Sequence, residues 1–151
     1  MPSEQVPLRI RTSSLASIVG ENAFYPWENL APPQQESILQ AIASPTPPSC
    51  IVYPETTEQL AQVIREANSN KWRVLPCGSG SKLSWGGLVK GVDVVVSTEH
   101  LNKLIDHAVG DLTVTAEAGM KFSELQGILA KANQFLALDP VTASATLGGI
   151  V

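Results

Sequence analysis

The sequence predicts an α/β (α+β) chain: a small parallel βαβ unit over 49–100, then the start of a second, mixed α+β subdomain over 101–151. Three observations carry this. Two short apolar runs, Cys50–Tyr53 and Arg73–Pro76, flank a stretch with helical periodicity, and a third run, Val92–Val96, follows. Strand, helix and strand at that spacing make a right-handed parallel unit. Downstream, Leu112, Val114 and Ala116 alternate with Thr113, Thr115 and Glu117, the period of a half-buried strand.

Residues 1–48 read as an N-terminal extension with short helices and a proline-rich linker. Ser13 to Val19 is a short helix closed by Gly20. Tyr25-Pro26-Trp27 and Ala31-Pro32-Pro33 read as irregular chain, Gln34 to Ala43 as a helix, and Ser44 to Ser49 as a semi-rigid connector. After Cys50–Tyr53, Thr56 and Gln59 match a capping box, in which each side chain satisfies a free N–H at a helix start. Leu60, Val63, Ile64 and Ala67 then fall on one helical face, and Asn68 to Asn70 end the helix. Val92–Val96 is continuously apolar, as a strand covered on both faces is. In the second block, Leu104–Ala108 and Leu112–Ala116 flank the turn Val109-Gly110-Asp111. Phe122, Leu125, Ile128, Leu129 and Ala132 mark another helix, Phe135–Leu138 a further strand, and Gly148-Gly149 the start of a new element.

A chain of 151 residues fits one domain. Its formal net charge of −4 argues against a nucleic-acid partner, which would select a basic face. No apolar stretch reaches the roughly 20 residues of a membrane span, and Met1-Pro2-Ser3-Glu4-Gln5 lacks the features of a secretory signal. The expected compartment is the cytoplasm. Cys50 and Cys77 sit at opposite ends of the predicted parallel sheet, so they are expected to be free, small and buried rather than reactive.

The chemistry is concentrated in Pro76-Cys77-Gly78-Ser79-Gly80-Ser81-Lys82, set directly after a predicted strand. Glycines let the backbone curl through positive φ and approach a ligand. Successive N–H groups in such a turn form an anion-binding nest, and Ser79, Ser81 and Lys82 add donors and a positive charge. Two commoner phosphate loops are excluded. A P-loop needs Gly-Lys adjacent, but Ser81 separates Gly80 from Lys82. The dinucleotide fingerprint needs a third glycine where Leu83 stands. Read alone, the turn fits either a plain connection or an anion cradle. His100 and His107 are isolated and read as surface or capping groups. Glu117 lies in the polar phase of a strand, and Asp139 precedes a proline as a turn residue. Trp72 and Trp85 read as packing residues. No catalytic residue is assigned, and two distant histidines and two separated cysteines make no metal site.

Taken in order, Pro54-Glu55-Thr56-Thr57-Glu58-Gln59-Leu60, Val74–Ser81, Leu112–Gly119, and Pro140 with Ala145-Thr146-Leu147-Gly148-Gly149 resemble the FAD-binding domain of the vanillyl-alcohol oxidase/p-cresol methylhydroxylase flavoproteins. Gly80-Ser81-Lys82 and the linker ahead of Cys50 resemble in particular the FAD-binding subunit of glycolate oxidase (glycolate dehydrogenase). The resemblance implies FAD held between the two subdomains, with Pro76, Cys77, Gly78, Ser79, Gly80, Ser81 and Lys82 at its diphosphate. Pro140, Ala145, Thr146, Gly148 and Gly149 would line the isoalloxazine and ribityl side. No histidine lies between Pro76 and Gly87, so the FAD is expected to be non-covalent. Cys77 stands where the family usually has an arginine, which removes one positive contact. The resemblance further implies oxidation of a small 2-hydroxy acid such as glycolate, with D-lactate or another hydroxy acid as alternatives. It also implies partner oxidase subunits, attachment through them at the inner membrane, and a substrate-binding domain beyond Val151, without which the chain is incomplete for catalysis. A non-catalytic nucleotide-binding or subunit-docking module is the alternative from another class.

Overall fold

A computed structural model describes residues 13–151. Helix α1 (Ser13–Val19) leads to strand β1 (Phe24–Pro26), helix α2 (Pro32–Leu39), strand β2 (Cys50–Val52), helix α3 (Thr57–Ser69) and strands β3 (Val74–Cys77) and β4 (Val94–Ser97). The four strands form one sheet in the order β1-β2-β4-β3. β4 runs parallel to both neighbours, with Cys50 opposite Val94 and Cys77 opposite Ser97. Every residue of β2 and β4 is buried, as expected of parallel strands covered on both faces.

The segment ahead of Cys50 is more regular than its sequence suggests. Tyr25 and Pro26, read as irregular chain, lie in β1, which pairs antiparallel with β2. A strand this short leaves no period to read, and its proline is tolerated because β1 is an edge. Pro32 and Pro33, also read as irregular, open α2, where a missing N–H costs nothing and a fixed φ suits the first turn. That helix ends at Leu39, short of the predicted Ala43. α1 lies against α3, and the Ser14 hydroxyl donates to Glu66 Oε1 at 3.0 Å.

Helix α3 carries its predicted cap. Thr56 Oγ1 accepts from Gln59 N–H at 3.1 Å, while Gln59 Oε1 accepts from Glu55 N–H at 2.8 Å. Val63 and Ala67 are buried, but Ile64, expected on the same face, is 44% exposed. At the other end of the sheet Asp93 takes two bonds from the Arg73 side chain, at 2.9 and 2.8 Å, and one from its N–H at 2.7 Å. These bonds hold the Asp93 carboxyl below the usual carboxylate range. A depressed pKa stabilises the fold above the unfolded value of about 3.9 and ceases to do so as pH falls through the folded one. Asp93→Asn is therefore expected to melt a few degrees below the parent at pH 7, and by less at pH 3. Thermal unfolding at both pH values checks this.

The second block pairs β5 (Leu104–Ala108) with β6 (Thr113–Ala116) as the predicted hairpin, with a bulge between Leu104 and Asp106. Helix α4 (Phe122–Ala130) packs Leu125 and Leu129 on Met120, Val114 and Ala116. The strand predicted at Phe135–Leu138 is absent. Instead the Gln126 amide accepts from Leu136 N–H at 2.8 Å and donates to its carbonyl at 3.0 Å. One side chain thus supplies both bonds that a neighbouring strand would make. The last element is a single-turn helix, α5 (Leu147–Ile150).

Candidate functional site

The loop following β3 is pinned by its carbonyls. Cys77 O accepts from Thr98 N–H at 2.9 Å, and Gly78 O from the Ser97 hydroxyl at 3.2 Å. Because C=O and N–H of a trans peptide point opposite ways, the N–H groups of Gly78 and Ser79 face away from β4. Among the described residues, the N–H groups of Gly78, Ser79, Gly80 and Ser81 donate to no protein acceptor. Gly80 adopts φ +75°, the conformation a nest requires and a side chain resists.

Facing the loop is the segment Ala145–Gly149. Phe122 N–H donates to Ala145 O at 2.9 Å, Leu147 N–H to Met120 O at 2.9 Å and Gly148 N–H to Ala118 O at 2.8 Å. These bonds seat the segment beside the start of α4. Gly78 comes so close to it that a Cβ there would overlap the Thr146 hydroxyl.

Between the two walls lies a cleft of about 380 Å³. It brings together Pro76, Cys77, Gly78, Ser79, Gly80, Ser81 and Lys82 with Ala145, Thr146, Gly148 and Gly149, all singled out from the sequence; Pro140 is not in its lining. Leu83, Thr98 and Ala118 also line it and were missed as site residues, although Ala118 falls within the quoted motif Leu112–Gly119. Thr98 follows the buried strand β4 directly, and that position at a strand's carboxyl end was the available signal.

Lys82 is the one ionisable cation of the lining, its ammonium 5.2 Å from the Trp85 ring, a cation–π contact. The Cys77 thiol is pushed up to about 11, chiefly by burial, against a smaller lowering by the Ser97 hydroxyl. Cys50 rises to about 12 by burial. Both are free, neutral thiols at neutral pH and three register positions apart along β4. A larger depression of about 560 Å³ is walled by Phe24, Trp27 and prolines together with Glu21 and Glu28, carboxylates that repel an anion.

The other polar candidates lie outside the cleft lining. His100 stacks on Tyr53 at 5.0 Å between ring centroids and sits 3.8 Å from Glu55. His107 shares a 2.8 Å hydrogen bond with Gln134. Glu117 accepts from Lys103 N–H at 2.7 Å. Asp139 is exposed. Trp72 is buried in the sheet core, whereas Trp85 is 67% exposed. Among the described residues no His, Cys, Asp or Glu cluster could hold a metal ion, and no helix is long and apolar enough to cross a membrane.

Known proteins resemble this chain in sequence and in fold. Residues 48–151 match the family described as FAD binding domain. D-2-hydroxyglutarate dehydrogenase of Stutzerimonas stutzeri is 29% identical over 103 residues, 68% of this chain and 22% of the relative. D-lactate dehydrogenase of Anaerostipes hadrus is 29% identical over 111 residues, 74% of this chain and 23% of the relative. The chain thus spans under a quarter of the length of these relatives. In fold it is similar to p-cresol methylhydroxylase with substrate bound, at a TM-score of 0.74 and 18% identity over 94% of this chain and 28% of that one. Alkyldihydroxyacetonephosphate synthase gives 0.71 and 20% identity, over 99% and 32%. The fold is that of the p-cresol methylhydroxylase-type flavoproteins, and with most of its length matched the chain belongs to the FAD binding domain family.

Proposed function

We propose that this chain is the FAD-holding part of a flavin-dependent oxidoreductase that oxidises a small 2-hydroxy acid. The observation that carries the site assignment is the pinned loop, whose successive N–H groups are left without protein acceptors beside a lysine. Such a loop fits a diphosphate, because it offers a cradle of donors with no side chain at Gly78 or Gly80 to fill it. Gly78 to Ser81 and Lys82 bind the diphosphate, and Ala145, Thr146, Gly148 and Gly149 line the flavin side. When bound, FAD supplies the electron acceptor for C–H oxidation at the carbon bearing the hydroxyl. The chain's own residues bind and orient it. No residue of the cleft lining is assigned as a substrate base.

The lack of a histidine in 77–87 supports non-covalent FAD. Relatives named for D-2-hydroxyglutarate and D-lactate support a 2-hydroxy acid, and glycolate is the member we favour, from the variant loop Gly80-Ser81-Lys82. Partner oxidase subunits and a cytoplasmic site, peripheral to the inner membrane through those partners, complete the proposal. A second reading, a nucleotide-binding or subunit-docking module without catalysis of its own, is supported by the match being to a binding domain.

Titration of the purified chain with FAD, followed by flavin fluorescence, is expected to show saturable quenching at one FAD per chain. Denaturation should then release all of the flavin. Absence of saturation at any concentration would overturn a self-sufficient FAD site and leave the docking reading.

A further inference from the structure

The glycine loop separates two cavities. One is the cleft; the other, of about 210 Å³, lies under α2 and is bounded by Gln34, Ser37 and Ile38 on one side and by Cys77 to Gly80 on the other. Across this second cavity the Ser37 hydroxyl donates to Gly80 O at 3.2 Å. Ser37 lies upstream of the matched residues 48–151.

That bond acts on a peptide of the loop that has no other protein partner among the described residues. Gly80 has no Cβ to bias the orientation of the peptide that follows it. If the Gly80–Ser81 peptide turned over, its carbonyl oxygen would face the cleft and repel an anion. With Gly80 O tied towards α2, the Ser81 N–H on the same trans peptide points the opposite way, into the cleft. We infer that Ser37 is a positioning residue of the anion loop, locking the Gly80–Ser81 peptide with its donor facing the ligand. Helix α2 is then a working part of the FAD site rather than an appendage to it. The inference rests on the reading of the loop as a diphosphate cradle.

The test uses the whole chain and two probes, inorganic pyrophosphate and FAD. Binding is read from the amide resonances of Gly78 to Ser81, and thermal unfolding is measured beside it. Ser37→Ala is expected to weaken both ligands about five- to tenfold, the equivalent of one lost hydrogen bond, with little change in melting temperature. Ser37→Thr, which keeps the hydroxyl, should restore affinity to within about twofold. A purely structural role would move the melting temperature and leave affinity alone. Alanine and parent binding both probes equally would overturn the assignment. So would a threonine variant as weak as alanine, or a parent loop that binds neither probe. Binding of pyrophosphate without FAD, still sensitive to Ser37, would uphold the role of Ser37 and remove the FAD reading.

Discussion

Replacing Gly119 by alanine is expected to lower the melting temperature by roughly 6–12 °C, corresponding to about 3 kcal/mol for a domain of this size. A Cβ at this position would run into the carbonyl oxygens of Thr98 and Leu101. Both are backbone atoms, which cannot swing aside as a side chain does. Gly119 N–H donates to Leu101 O at 2.7 Å, so the close approach is also a bonded one. It ties the segment leaving β4 to the segment leaving β6, and the added methyl would prise the two blocks apart. Scanning calorimetry checks the value. A shift of less than about 2 °C would mean that the two segments separate at almost no cost.

Gly80→Val is expected to weaken FAD binding by at least about a hundredfold, while the melting temperature falls by only a few degrees. The space around a Cβ at residue 80 is ordinary, with Leu83 at 3.5 Å and Ser37 at 3.8 Å. The difficulty is φ +75°, which a β-branched residue resists at a cost on the order of 1–3 kcal/mol. The loop can relieve that strain by unwinding, and unwinding scatters the N–H groups that the cradle needs. His107→Ala, outside the cleft lining, should bind FAD like the parent. Equal losses in the two variants, measured by flavin fluorescence, would refute the loop assignment.

What could be read from the sequence was what had local chemical causes. The Thr56/Gln59 cap, the β5–β6 hairpin and the three parallel strands each follow from a spacing or a run of apolar residues, and each is present. The losses came where structure depends on a distant partner. β1 is three residues long and exists because β2 offers an edge. Residues 135–138 have the composition of a strand, but Gln126 takes the hydrogen bonds first. Within the cleft, the loop announced itself by glycine and serine, whereas Thr98 and Leu83 carry no signature. The carbonyl tie from Ser37 is an encounter between a helix and a loop that no sequence spacing encodes.

The contact of Gly78 with Thr146 joins residues nearly half the chain apart. On a ribosome the loop emerges long before its opposite wall, so during synthesis there is a cradle but no cleft. Contacts of such large sequence separation form late, because loop-closure entropy must be met first. A cofactor held by both walls can be captured only once residues 145–149 have emerged and closed over the loop. Apoprotein truncated before Ala145 should fold its four-stranded sheet yet fail to retain flavin.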